Sequence, residues 1–151
     1  MNEDLTEQLY CNHPELFIRN GAYPISFDCG DGWFNIINQL CYALCEDRTQ
    51  AARQLKYAIE TKSTSRIAEY TNAVRVATEQ LPSIIQIKEK FGELRVYVVG
   101  ESESMSHKIN FAERMASCTC ELCGSPGRIR SGGWIQCRCD KCQETASISM
   151  R

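Results

Sequence analysis

No apolar run in this 151-residue chain approaches the ~20 residues a membrane helix needs, so a spanning segment is not expected. The start, Met1-Asn2-Glu3-Asp4, is acidic and lacks the basic residues and apolar stretch of a secretory signal. A cytoplasmic protein with no membrane partner is therefore expected. Excess positive charge is missing too: the formal net charge is −2, which argues against strong affinity for duplex nucleic acid. Histidine occurs only at His13 and His107, which leaves little material for His-assisted nucleophilic catalysis. Lys88-Glu-Lys-Phe-Gly92 lacks the glycine frame and the Lys-Ser/Thr ending of a phosphate loop. Internal repeats and low-complexity tracts are also absent. With 43% hydrophobic and 24% charged residues, one globular unit with a sizeable core is possible and wholesale disorder is excluded.

Cysteine, in contrast, is abundant, with ten residues in two groups. Cys11, Cys29, Cys41 and Cys45 are scattered through the first third, while Cys118, Cys120, Cys123, Cys137, Cys139 and Cys142 crowd the end. In the reducing compartment expected here, a dense thiol cluster is better explained by metal than by disulfides. Charge is also unevenly spread. Residues 1–47 carry −7, residues 48–81 carry +3, residues 82–117 balance, and residues 118–151 carry +2.

Hydrophobic spacing predicts the elements. Residues 3–10 suit a short helix capped by Asn2, and Pro14 suits the first turn of another over 14–19. Residues 20–30 look like loop. Trp33, Ile36, Ile37, Leu40, Cys41, Leu44 and Cys45 recur at three- and four-residue steps, predicting a helix that Asp31 can cap. Two further helices are predicted over 49–61 and 65–81, antiparallel across Lys62-Ser63-Thr64-Ser65. After Pro82 the period changes to two, predicting a β-hairpin turning near Phe91-Gly92-Glu93. Residues 100–106 look like loop and 109–116 like a short helix.

Cys120-Glu-Leu-Cys123 and Cys139-Asp-Lys-Cys142 are two Cys-x-x-Cys pairs with fifteen residues between them. Two intervening residues let both sulfurs of a knuckle turn toward one ion, and two knuckles complete a tetrahedron. Short strands at Arg128-Ile-Arg130 and Trp134-Ile-Gln136, around Ser131-Gly-Gly133, complete a zinc-ribbon layout. Four thiolates favour Zn²⁺, in a closed site of the structural kind. Cys118 and Cys137 each precede a chosen ligand by two residues and can compete with it; they are expected to be spare thiols. Arg128, Arg130, Arg138 and Lys141 can offset the net −2 of the thiolate–zinc centre.

Other candidates are less specific. Cys11, Cys29, Cys41 and Cys45 can be imagined as a second four-cysteine site, or as small buried hydrophobes. Cys29 with His13 or His107 offers a conceivable thiol hydrolase. Cys29-Gly-Asp-Gly-Trp33 can be a tight turn into a helix, or a backbone surface that approaches a ligand with Trp33 or Phe34 as a stacking face. Arg128, Arg130 and Gly132-Gly-Trp134 have the same ingredients, since arginines pair with phosphates and aromatics stack on bases. Trp33, Arg128, Arg130 and Trp134 are thus the candidate ligand-binding residues, with a nucleotide or a single strand as the candidate ligand.

Cys29-Gly-Asp-Gly-Trp33, Lys88-Glu-Lys-Phe-Gly-Glu-Leu-Arg-Val-Tyr97, and Cys120-x-x-Cys-Gly-x-Pro-Gly127 with Gly133-Trp134 and Cys139-x-x-Cys142 follow one another in this order. In that order they resemble a group of small proteins encoded by tailed bacteriophages and prophages. Glu93 departs from the pattern, which usually has a second glycine there, and leaves the turn type open. The resemblance covers most of residues 10–142 and implies a source and a zinc knuckle rather than a reaction.

The expected fold is α+β: N-terminal helices, one β-hairpin, and a zinc-ribbon-like module (118–151) packed on residues 1–117 as one folding unit. The expected function is a non-enzymatic binding protein that neutralises a host component, either an anti-phage defence protein or a nucleotide signal. The alternatives are a zinc-ribbon nucleic-acid-binding regulator and a cysteine-dependent hydrolase.

Overall fold

The computed structural model describes residues 1–17 and 25–149. Helix α1 (Glu3–Asn12) starts where the sequence predicts: Asn2 Oδ1 accepts the Leu5 N–H at 2.9 Å. Glu3 and Asp4 place negative charge on its first turn, where the helix dipole favours it. Helix α2 (Pro14–Phe17) follows at once; the rest of the predicted 14–19 helix lies outside the described residues. So do residues 20–24 of the predicted loop. The end of that loop is instead a two-residue strand, β1 (Phe27–Asp28), too short to show an alternating pattern.

A 3-10 turn (Asp31–Trp33) leads into α3 (Phe34–Leu44), which buries Ile37, Leu40, Cys41 and Leu44 on one stripe. Asp31 does not cap this helix. Its carboxylate accepts from the backbone N–H and side-chain amide of Asn2 at 2.7 and 2.8 Å, tying the start of the chain to the turn.

Helix α4 (Glu46–Glu60) begins three residues earlier than predicted, directly after α3, and pairs with α5 (Thr64–Glu79) in a helical hairpin. The turn between them is a Schellman motif with Lys62 in the left-handed position (φ +55°): Ser63 N–H bonds the Ala58 carbonyl and Lys62 N–H that of Ile59. This hairpin packs mostly on itself, burying only Ala51 and Ala58 of α4 and nothing of α5.

Strands β2 (Ser83–Lys90) and β3 (Glu93–Val99) form the predicted hairpin, with β1 parallel on the other side of β2. Phe91 and Gly92 both have positive φ, +56° and +79°, the signature of a two-residue type I′ turn. Glu93 lies beyond it, in β3 opposite Lys90, so a glycine there is not needed for the turn. Helix α6 (Glu103–Ser117) begins inside the stretch expected to be loop. Ser102 accepts the Met105 N–H as its N-cap. It packs on α3 and β3, and Glu113 accepts the Val96 N–H at 3.0 Å, satisfying part of the exposed edge of β3.

The chain ends in β4 (Arg128–Arg130), β5 (Gln136–Arg138) and α7 (Asp140–Ser149). Strand β5 sits two residues later than predicted, so that Cys137 points inward and joins the same core as Trp33, Ile87 and Leu94. The architecture is α+β with a zinc-ribbon-like C-terminal module. Among the described residues, no helix is long and apolar enough to cross a membrane.

Candidate metal centre

Two knuckles meet because β4 and β5 pair in register, Arg128 opposite Arg138 and Ile129 opposite Cys137. In the first, Gly124 N–H bonds the Cys120 carbonyl at 2.9 Å, and Gly124 adopts φ +73°. In the second, Cys142 lies in the first turn of α7 and its N–H points at Cys139 Sγ, 3.4 Å away. The sulfurs of Cys120, Cys123, Cys139 and Cys142 all lie within 4.8 Å of one another. Cys123 Sγ is 3.7 Å from Cys139 Sγ and 3.5 Å from Cys142 Sγ. A tetrahedral ion with metal–sulfur bonds of about 2.3 Å has sulfur–sulfur edges of roughly 3.8 Å, close to the two Cys123 distances, so the cluster could hold a metal ion. In the thiol form, hydrogen bonds from Ser125 draw Cys123 down to about 6, while Cys142, donating to Cys123, is held up to about 12. Hydrogen bonding within the cluster thus favours a thiolate at Cys123.

The two other thiols of this region point elsewhere. Cys137 is fully buried and donates to the Ser117 carbonyl at 3.3 Å, while exposed Cys118 donates to that of Met115 at 3.2 Å.

The Cys29-Gly-Asp-Gly-Trp33 motif sits directly beneath the first knuckle. Gly32 N–H donates to the Glu121 carbonyl at 2.7 Å and Gly30 N–H to Glu121 Oε1 at 2.9 Å. A Cβ on Gly32 would meet Cys120 O at 2.2 Å and Gly124 N at 2.4 Å; one on Gly30 would meet Glu121 O at 2.4 Å. Both glycines are required because two backbones touch there. Trp33 is fully buried, and its indole N–H donates to Thr119 O at 2.8 Å. It offers no face to a ligand, which corrects the expectation that it stacks on one: its ring packs under the knuckle instead.

The hairpin tip completes the junction. A Cβ on Gly92 would come within 3.2 Å of the Gln136 carbonyl carbon and 3.4 Å of Cys137 N, so the β2–β3 turn rests on β5. Three short motifs far apart in sequence are therefore faces of one contact around the cysteine cluster.

Glu121 was not foreseen as part of this site. It lies between two ligand cysteines and is buried, which raises its carboxyl pKa, while the Gly30 N–H pulls the other way. Nothing local distinguishes it from an exposed knuckle residue, since its partner lies 91 residues away.

Arg128 and Arg130 share one carboxylate partner. Both donate to Asp140 Oδ1, at 2.9 and 2.6 Å, and Arg130 Nε also donates to Arg138 O. The Arg130 and Arg128 guanidiniums hold the Asp140 carboxyl below its usual range. These contacts fasten β4 to the second knuckle, with the Arg128 side chain still largely exposed. Trp134 is exposed as well, at 74%.

Among the described residues the front cysteines form no metal cluster. Cys29, Cys41 and Cys45 are buried, and burial pushes the Cys29 and Cys45 thiols up to about 12. Cys41 is raised by burial as well. A nucleophilic thiolate at Cys29 is therefore disfavoured, and His13 is engaged with Asn38 Oδ1 at 2.8 Å and packed edge-on against Tyr42. No protein-family model, curated protein or solved structure matches this chain.

Proposed function

We propose that the chain is a non-enzymatic binding protein organised by a structural zinc ion, encoded by a tailed phage or prophage and acting in the bacterial cytoplasm. Its target is a host component, an anti-phage defence factor or the nucleotide signal that such a factor uses. The observation that supports this best is the closed four-thiolate cluster set on the glycine motif. Four protein ligands leave no open position for substrate, so the ion's work is to order the surface around it. Thiolates at tetrahedral spacing select zinc over harder cations, which prefer oxygen. The order of the three motifs supports the phage source.

Native mass spectrometry of freshly purified protein is expected to give one zinc per chain; a metal-free mass, or Cys-x-x-Cys disulfides by peptide mapping, would overturn the metal half. For the host-directed half, the chain is expressed in bacteria carrying individual defence systems and challenged with a sensitive phage. Restored plating against at least one system is expected, and unchanged plating across the set would overturn it.

A further inference from the structure

A cleft of about 450 Å³ lies between the β2–β3 turn and the loop joining β4 to β5, lined by Glu89, Lys90, Phe91, Gly133, Trp134 and Ile135. Its two aromatic residues are unusual. Phe91 is 68% exposed and Trp134 74% exposed, so neither is explained by packing. Phe91 also adopts φ +56°, a conformation a bulky side chain takes only at a cost, in a turn position where asparagine or glycine is the ordinary choice. Strain of this kind at an exposed residue points to use by a ligand. Gly133 stands with no neighbour that a Cβ would meet, so chain packing does not require a glycine there. Its lack of a side chain leaves backbone edges open along one wall.

From this we infer that the cleft binds a nucleobase, held by stacking on Phe91 and Trp134, with the base edge toward the backbone of the glycine loop. This rests on the reading of the chain as a binding protein and names its ligand class. A base has two apolar faces and a polar edge, which matches aromatic rings beside exposed peptide groups. The volume fits one nucleotide, within the roughly 300–1,000 Å³ usual for small-ligand sites. Lys90 Nζ lies over the Phe91 ring, 5.8 Å from its centre; a stacking base displaces it from that face, and the flexible side chain then offers its charge to the phosphate. Glu89 balances its charge in the same cleft and accepts the Gly92 N–H at 2.6 Å. Stacking therefore dominates over charge, and binding depends weakly on salt. The cleft also depends on the cluster, because Gly92 rests on β5 and the Trp134 loop leads into it.

The test uses the zinc-loaded full chain. One arm titrates it with ribonucleoside monophosphates by calorimetry, the other with a 2-aminopurine-labelled hexanucleotide by anisotropy. Binding in either arm is expected, with a shallow salt dependence; the first arm identifies a free nucleotide as the source and the second alone a single strand. Trp134→Ala and Phe91→Asn are each expected to weaken it about tenfold or more. Asparagine tolerates the left-handed conformation, so Phe91→Asn keeps or raises the melting temperature while affinity falls. A merely structural Phe91 would not separate the two readouts. Absence of binding at millimolar concentrations, equal binding by both variants, or preferential binding of a proline-rich peptide would overturn the inference. If Trp134→Ala restores plating as well as the unaltered chain, the inference falls and the host-directed reading stands. If the unaltered chain does not affect plating but binds the probes through the cleft, the converse holds.

Discussion

The front and rear cysteines are the same residue type in one chain, and their surroundings give them opposite chemistry. Cys29, Cys41 and Cys45 are buried in the core, where a charged thiolate is costly, and the Cys45 thiol is also hydrogen-bonded to Glu15. Cys123 is exposed and hydrogen-bonded by Ser125, which favours its thiolate, and three more sulfurs lie within reach. Burial and neighbours, not cysteine count, separate a core from a metal site.

That contrast is most severely tested by removing the ion. Chelation, or Cys139→Ser, is expected to abolish ordered structure over residues 118–149, because a structural zinc site carries on the order of 10 kcal/mol of coupled binding free energy. Hydrogen exchange checks it: loss of protection in that segment and around Gly30 and Gly32, with α3 retaining more. Unchanged protection in both would break the distinction.

Alkaline pH attacks the front group instead. The Cys29 and Cys45 thiols, ordinarily near 9.0, are raised to about 12 in the folded chain. Between those values the unfolded chain has lost protons that the folded chain keeps. The stability they contribute is therefore fully present below pH 9 and is lost as pH rises toward 12. Denaturant midpoints measured across that range should fall, and Cys45→Ala should make the fall shallower.

Smaller effects sharpen the picture. Gly32→Ala drives a Cβ into the backbone of the first knuckle and is expected to cost about 3 kcal/mol, whereas Gly133→Ala, in open space, stays within about 0.5 kcal/mol. Urea unfolding compares the pair. Cys41→Ser buries a hydroxyl in the apolar core and should cost roughly 1–3 kcal/mol without changing zinc content. Cys11→Ser, at an exposed site, should be neutral within about 0.5 kcal/mol by the same measurement.

Local rules made much of this fold legible. The stripe of α3, the Asn2 cap and the period change after Pro82 each depend on residues within a few positions. The start of α6 was also legible in principle, since Ser102 before Glu103 is a cap signal hidden in a polar stretch. Strand β1 was not: two residues carry no periodicity, and their pairing with Ile87 and Lys88 is made sixty residues away. At the site, the four metal-cluster cysteines followed from spacing. The role of Trp33 did not, because composition cannot tell an aromatic that faces solvent from one buried and bonded to Thr119 O, nor does it show that Arg128 and Arg130 share Asp140.

The sequence by itself determined the thiol knuckles and the helical and strand periods, since both are short-range geometry of a few covalently linked residues. Only the tertiary structure decided that Gly30 and Gly32 lie under Cys120 and Glu121, that Gly92 rests on Cys137, and that Phe91 and Trp134 share a cleft. The physical reason is that such close approach is set by chain segments that are remote in sequence and meet only when the core collapses.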